Sequence, residues 1–440
     1  MDARLYWLWM QGAIGPGSPK SDGLLRAFGH PSVLWKAASL GRTADLKTED
    51  GKGLDWFGLS ETERKRLADP SLDRAEALLR QMKERGVWLL TPEDARYPSL
   101  LRGIPGLPLA LYGMGELPDW ELTPPLAVAG TRKISDYGRQ AAWLIAGGLA
   151  LGGAAVVAGG AVGVEAAAHR AALEVGGLTV SVQAAGFDAQ YPSQNRELRE
   201  DILAAGGTLL SEYPPDEPGR RLTHDDFLMC NRIVSGLSLG VCVIEAGEKS
   251  GSLMIARHAR DQGRDVFAVA GNIVTGRSVG TDALIKQGAR LADRPEEIIE
   301  EYLPRFPDIL DREAAASIRE HPAFRTLFAG REPLSPVQAP KPAPTERARK
   351  AWSRPETLGT QESEKEERME KPEKPEQSSP PSAVSGEARR VWETLDEEPR
   401  LIGPLAEACG LPVPAVLIAL TELEMQGAAR RLPGQLYVRG

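Results

Sequence analysis

Cysteine is scarce: three in 440 residues, at positions 230, 242 and 409. They form no C-x-x-C pair, which excludes a zinc-ribbon or a disulfide framework and fits reduced thiols. The five histidines are as scattered, so no metal site is expected. Long apolar runs are missing too. Nothing approaches the roughly 18 residues of a membrane span. The opening Met1-Asp-Ala-Arg-Leu-Tyr-Trp-Leu-Trp9 carries acid early and has no small-residue cleavage site, so a cytoplasmic protein is expected. Positive charge is in deficit, with 53 Lys and Arg against 61 Asp and Glu and a net charge of −8. Any nucleic-acid function must therefore rest on a local basic patch. Three motifs of common chemistry are absent as well. There is no G-x-x-x-x-G-K-[ST] phosphate loop, no G-x-S-x-G nucleophile elbow, and the first strand-to-helix loop is too glycine-poor for a dinucleotide fingerprint.

What the chain does have is a repeated pattern between Leu126 and Ala289. Short β-branched runs end in glycine and a helix start. Leu126–Gly130 leads into Thr131-Arg132, and Ala155–Gly159 into Gly160-Ala-Val-Gly163. Leu178–Gly186 leads into Phe187-Asp188, Val241–Ala246 into Ser250-Gly-Ser252, and Val266–Gly271 into Asn272. This is the signature of βαβ units around a buried parallel sheet. In such a sheet the strand-to-helix loops open on one edge. Helix N-termini there are expected to present unpaired N–H groups to an anion.

The fold class expected is α/β: an extended Rossmann-like parallel sheet with a helical N-terminal domain and a C-terminal winged-helix domain. Residues 1–85 read as a helical domain of SAM or helix-hairpin-helix type, with a capping signal at Ser60-Glu-Thr-Glu63 and an amphipathic helix over Ser71–Arg85. Residues 86–305 hold an entry ribbon and the sheet. Residues 306–385 read as a tail and disordered linker, rich in Pro, Glu, Lys and Ser from about Arg331. Residues 386–440 read as helix, helix-turn-helix and a two-stranded wing. The third helix of that module carries Glu422 and Glu424 and no Lys or Arg. Protein contact is therefore expected there in preference to duplex DNA, which Arg430 and Arg431 alone would have to hold.

The loops offer a phosphate-compatible set. Arg132 can bind phosphate bidentately, Asn231-Arg232 adds a second cation and an amide, and Ser250-Gly251-Ser252 adds hydroxyls and backbone donors. Each also has a plain structural reading: a surface ion pair for Arg132, a helix cap for Ser250 or Ser252, a brace to Glu245 for Arg232. Glu165 and His169 lie four apart on one helix face and are expected to buttress the loop. No nucleophile with a positioned base is present, so the chain is not expected to be an enzyme.

At this point the residues resemble a family. Gly130-Thr-Arg-Lys-Ile-Ser-Asp-Tyr-Gly138 is similar to the G-[ST]-R-x-x-[ST]-x-Y-G motif of the DNA-processing protein A (DprA/Smf) family. Ala158–His169, Ala185–Asn195, Ser211–Pro214, Phe227–Leu237, Glu245–Ser252, Gly263–Gly271 and Ser278–Ala289 follow in that family's order. The resemblance implies a dimeric cytoplasmic protein that binds single-stranded DNA without sequence preference. It implies protection of incoming strands in natural transformation, loading of a RecA-type recombinase, and no cofactor. By matching positions it assigns DNA contact to Gly130, Thr131, Arg132, Lys133, Gly159, Gly160, Asn231, Arg232, Ser250, Gly251 and Ser252. Glu165, His169, Asp188 and Glu245 are assigned supporting roles. The chain departs from the family pattern at Ala158, Glu165, Val162, Leu228, Cys230, Ile255 and Ala270. Cys230 replaces an arginine expected on the loop or first turn entering its helix. Two other classes stay open. One is a phosphoribohydrolase-type enzyme using Glu165, His169 and Glu245, although its P-G-G-x-G-T loop is absent. The other is a divergent scaffold that no longer binds DNA.

Overall fold

The computed structural model describes residues 2–48, 50–189, 191–215, 222–328, 385–395, 400–432 and 436–439. The chain divides into two compact units, before and after residue 356. The linker expected over 331–385 lies, up to Ser385, outside the described residues.

The first unit opens with helices α1 (Arg4–Ile14), α2 (Lys20–Phe28), α3 (Pro31–Ser39), α4 (Glu61–Ala68) and α5 (Asp73–Glu84). α1 stops where Gly15 turns to φ +83°, a conformation a side chain would resist. α4 starts on a reciprocal capping box, with Glu63 N donating to Ser60 Oγ at 3.2 Å and Ser60 N to Glu63 Oε2 at 2.6 Å. Ala75, Leu78 and Met82 form the buried stripe of α5.

The sheet contains β1 (Trp88–Leu90), β2 (Leu111–Gly115), β3 (Pro125–Ala129), β4 (Ala155–Gly159), β5 (Thr179–Gln183), β6 (Thr208–Ser211), β7 (Gly240–Val243), β8 (Asp265–Ala268) and β9 (Arg290–Leu291). Among the described residues their order is β1-β2-β6-β5-β4-β3-β7-β8-β9. β3 through β9 pair in parallel, while β1 and β2 form an antiparallel ribbon on β6. The strand order reverses direction between β3 and β7. Ligands of such sheets bind at that switch point, outside the carboxyl ends of the strands.

Helices α6 (Asp136–Leu151), α7 (Val164–Glu174), α8 (Arg196–Ala204), α9 (His224–Gly236), α10 (Leu253–Asp261), α11 (Val279–Lys286) and α12 (Pro295–Tyr302) connect these strands and cover the sheet. α6, α7 and α12 share one core with the sheet, and α9, α10 and α11 share another. Two short helices, α13 (Arg312–Ala316) and α14 (Pro322–Phe328), follow. Residues 306–328, expected to begin a tail, instead close the first core: Phe306, Leu310, Ala315 and Ile318 are buried in it. Gly147 and Gly148 on α6 and Gly152 just after it make room, since a Cβ on them would strike Ile318, Pro295 and Ala315. A buried Leu or Ile side chain contributes about 1.5–3 kcal/mol, enough to order so short a segment.

The N-terminal helices join the sheet through polar contacts that leave little freedom. Gln11 Nε2 donates to the Ala110 and Glu212 carbonyls at 3.3 and 3.2 Å, and Tyr112 Oη donates to Gln11 Oε1 at 2.7 Å. Asp22 accepts from the Gly106 and Leu107 amides. Glu212 accepts from Gly17 N at 2.7 Å and from Arg232 Nη2 at 2.8 Å, while Arg232 also donates to the Gly106 carbonyl.

The second unit holds helices at Gly386–Thr394, Ile402–Cys409 and Val413–Met425 around one small core. The wing has three strands where two were expected: Leu436–Arg439 pairs with Ala429–Leu432 and also with Arg400–Leu401. No helix among the described residues is long and apolar enough to cross a membrane.

Arg232 and Glu212 are 4% and 1% exposed. Replacing Arg232 by Ala would strand a buried carboxylate, and the expected loss of stability is about 3–5 kcal/mol. Urea denaturation of Arg232→Ala would measure it. Arg232→Met combined with Glu212→Gln should recover most of the loss, since the stranded charge is then gone.

Candidate functional site

The loop after β3 is held from below by one residue of β7's loop. Thr131 N donates to the Glu245 carbonyl at 2.7 Å, and Ser135 N donates to Glu245 Oε2 at 2.8 Å. Ser135 caps α6 by accepting from Gly138 N at 3.0 Å. Gly138 has to be glycine, because a Cβ there would overlap the Glu245 carboxylate. Glu245 is 1% exposed. Its carboxylate therefore occupies the place at the α6 N-terminus where an anion would bind.

The next loop repeats the device. Glu165, buried at the start of α7, accepts from Ala161 N at 2.9 Å. Burial raises its pKa, against the Ala161 amide and the charge of Arg132. Gly159 is glycine because a Cβ would press on that carboxylate. Gly163, at φ +89°, lets Val164 N reach the Thr131 carbonyl at 3.1 Å, and a Cβ there would strike the Thr131–Arg132 backbone. The expectation of free amides at these two helix starts is thus corrected. Glu245 fills the first; at α7 the Thr131 carbonyl takes the Val164 amide, and Glu165 holds the Ala161 amide of the loop before the helix.

His169 stands below Glu165, 1% exposed. The Gly159 carbonyl, 3.0 Å from Nε2, can only accept, so Nε2 carries the proton. In the neutral ring Nδ1 lies 2.7 Å from Thr179 Oγ1 and competes for that hydroxyl's one proton with the Val156 carbonyl, 2.8 Å away. Burial pushes the pKa of His169 down to about 4. Neither His169 nor Glu165 reaches an exposed surface, and both fix the backbone of the crevice.

The exposed groups sit above this frame. Arg132 and Lys133 are exposed, and neither side chain has a carboxylate partner among the described residues. The Arg132 guanidinium lies 4.4 Å from the centre of the Phe227 ring, which leaves its in-plane N–H groups free. Phe227 in turn contacts Tyr191, their ring centres 5.6 Å apart. Asn231 is half-buried one turn along α9 from Phe227, so it belongs to the same face. At the start of α10, Ser250 and Ser252 hydroxyls bond each other at 2.7 Å and no side chain caps the helix. Among the described residues nothing accepts from the Gly251 or Ser252 amide. This helix start, unlike those of α6 and α7, keeps donors for an anion.

Three expected positions lie elsewhere. Arg232 is buried, points away from the crevice and pairs with Glu212, so it is no phosphate contact and no brace to Glu245. Cys230 falls within α9, not at its entry. It is 6% exposed, and its thiol donates to the Val182 carbonyl at 3.3 Å. Asp188 forms an ion pair with Arg85 at the end of α5. Gly160 is a packing glycine whose carbonyl accepts from Asn195 Nδ2 at 2.9 Å. Phe227 and Tyr191 were not among the expected site residues; their only signal was aromatic character inside two of the motifs.

The chain is similar to known proteins in sequence and fold. The family model described as DNA recombination-mediator protein A matches residues 88–303, and the DprA winged helix domain matches residues 373–435. The chain is 39% identical over 241 residues to the putative DNA processing protein DprA of Mycobacterium tuberculosis, covering 52% of this chain and 61% of that protein. It thus spans about three fifths of that relative's length. It is 32% identical to protein Smf of Synechocystis over 364 residues, 82% of each. The X-ray structure of DNA processing protein A from Streptococcus pneumoniae superposes with a TM-score of 0.50 at 32% identity, over 62% of this chain and 96% of that one.

The His169 environment sets a pH dependence. Its folded pKa of about 4 lies below the unfolded value of 6.5. Between the two the unfolded chain binds the extra proton, so stability is full above 6.5 and is lost as pH falls toward 4. From pH 7.5 to pH 5 the expected loss from this group is about 2 kcal/mol. Urea titrations of the protein and of His169→Gln at both pH values test this. The variant's loss should be smaller by about that amount.

Proposed function

We infer, for a chain that belongs to the DNA recombination-mediator protein A (DprA/Smf) family, that it binds single-stranded DNA by its phosphates in the crevice between the β3 and β7 loops. The observation that carries this reading is Arg132. It is an exposed guanidinium at the switch point, spread on Phe227, beside an uncapped helix start and away from any carboxylate partner among the described residues. A cation left in that condition is poised for an anionic ligand.

Gly130, Thr131, Gly159 and Gly160 shape the floor of this site. Arg132, Lys133, Asn231 and the Ser250–Ser252 loop make the contacts. Because those contacts are to phosphate, binding carries no base code. The side chains next to the crevice are aromatic, which suits unstacked bases and disfavours a closed duplex. The chain acts as a homodimeric cytoplasmic mediator that delivers the strand to a RecA-type recombinase during transformation. It performs no catalysis and needs no cofactor. The winged-helix module, with Leu417 and Ile418 exposed on the helix that carries Glu422, meets a protein partner in preference to duplex DNA.

Anisotropy with labelled oligo-dT at several salt concentrations tests the assignment. Arg132→Ala should weaken binding about tenfold or more, equally for different sequences, and lower the log–log salt slope by about 0.7. Binding as tight as wild type would place the strand elsewhere.

A chain ending at residue 331 should keep its oligo-dT affinity to within about tenfold, or ~1.4 kcal/mol. A larger loss would show that the winged-helix module takes part in holding the strand.

A further inference from the structure

Opposite the crevice, at the amino ends of the parallel strands, a notch of about 10 Å³ opens between Pro125, which starts β3, and Leu239, which leads into β7. It has room for one water-sized atom. Pro98, Leu100, Leu237 and Phe306 give it apolar walls. Arg305 lines it as well, and its side chain is exposed.

Two donors at this place are unmatched. Trp120 lines the notch and is 9% exposed, and its indole Nε1 is buried with no acceptor among the described residues. Arg264 stands behind the wall. Its Nη2 donates to the Leu100 carbonyl at 2.6 Å and to the Gly236 carbonyl at 3.1 Å, while its Nε is buried with no acceptor among the described residues. A buried N–H without a bond is costly, and a ligand that brings an acceptor relieves that cost. The charges are unmatched too. Neither Arg264 nor Arg305 pairs with a carboxylate among the described residues. Burial lowers the pKa of Arg264, and the charge of Arg305 lowers it further. Two guanidinium groups that repel each other without a counter-charge are stabilised by an anion between them.

We propose that this notch receives a carboxylate carried by an acidic, otherwise apolar segment of a partner protein, one oxygen accepting from the Trp120 indole and the other paired with Arg305. Size supports this, because the notch admits one oxygen and leaves the rest of the carboxylate outside, within reach of Arg305. A water would satisfy the indole but would leave both arginines without a counter-charge. A nucleic-acid strand fits less well. Tracking its backbone takes a row of cations, and its bases take exposed aromatic faces, whereas here there are two cations and a rim of proline and leucine around a buried Phe306. A guanidinium and a carboxylate make a charge-assisted pair, and the apolar walls take the side chains that flank the acid. The notch lies at the other end of the strands from Arg132. The partner is therefore held without competing for the crevice.

The test follows the tryptophan indole N–H signals of the full chain, labelled with nitrogen-15, by NMR. Trp120→Phe identifies the Trp120 signal by its loss. If that variant does not fold, the shift that Arg305→Ala abolishes identifies it. The probe is a capped five-residue peptide alternating leucine with glutamate, at millimolar concentration, and its control is the same peptide with glutamine. The glutamate peptide should move the Trp120 signal downfield and the glutamine peptide should not. Arg305→Ala should weaken peptide binding about tenfold and leave oligo-dT affinity unchanged. No movement with the glutamate peptide overturns the proposal, since the notch then holds water only. Equal movement with both peptides overturns it in favour of a neutral acceptor. Movement with oligo-dT assigns the notch to nucleic acid, and movement with protein concentration alone assigns it to a second copy of the chain; either overturns it. None of these outcomes bears on the crevice reading, which the Arg132 variant tests separately.

Discussion

The Glu245 carboxylate beneath the start of α6 is the constraint on which the crevice depends. Through its carbonyl it fixes Thr131 and through its side chain Ser135, so the loop carrying Arg132 is held at both ends by one residue of the neighbouring strand. The glycines follow from it. Gly138 yields space to the carboxylate, and Gly163 yields space to the loop that the carboxylate has placed. Glu165 does the same service one strand away. A positive helix end facing a buried carboxylate is stabilised without any ligand, so the frame is complete before an anion arrives.

That arrangement decides how phosphate can be read. With Glu245 beneath the start of α6 and the first amide of α7 bonded to the Thr131 carbonyl, the recognition available comes from side chains on the rim and from the uncapped start of α10. Side-chain contact by guanidinium and ammonium groups tolerates variation in backbone path better than a tight nest of amides. It therefore suits a flexible polymer held at several points more than a single bound nucleotide. It also explains how a chain with net charge −8 can present a local anion site. Glu245 and Glu165 are turned inward against amides, and Arg132 and Lys133 remain outside, although Asp136 and Glu248 on the same loops are exposed as well.

Much of the sheet was legible because its signal is local. A β-branched run that ends in glycine before a helix start specifies strand, loop and helix within some fifteen residues, and β3, β4, β5, β7 and β8 all carry it. β6 lacks the terminal glycine, and its only signal in the sequence is the Ser211–Pro214 motif. The fate of Arg232 was not legible. Asn231 and Arg232 are adjacent in sequence, yet a helix sends neighbours about 100° apart, and only the packing of α9 decides which of them faces the crevice. Residues 306–328 do not read as core in the sequence for a related reason. Their apolar residues are spaced irregularly because they fill gaps left by the glycines of α6, a pattern set by the partner surface and not by helical period.

Cys230 shows how one departure from the family pattern propagates. The family's arginine at this position would stand near Glu165 and Arg132, both of which act electrostatically on the Cys230 thiol. Burial holds that thiol protonated and neutral. The raised pKa of Glu165 is therefore countered by Arg132 and one amide alone. Arg132 in this chain steadies a buried carboxyl below it, and in the function proposed above it also meets phosphate. A second cation would have shared the first task. Without it, any phosphate that draws Arg132 outward weakens the support of Glu165, and the proton on that carboxyl becomes coupled to the occupancy of the crevice.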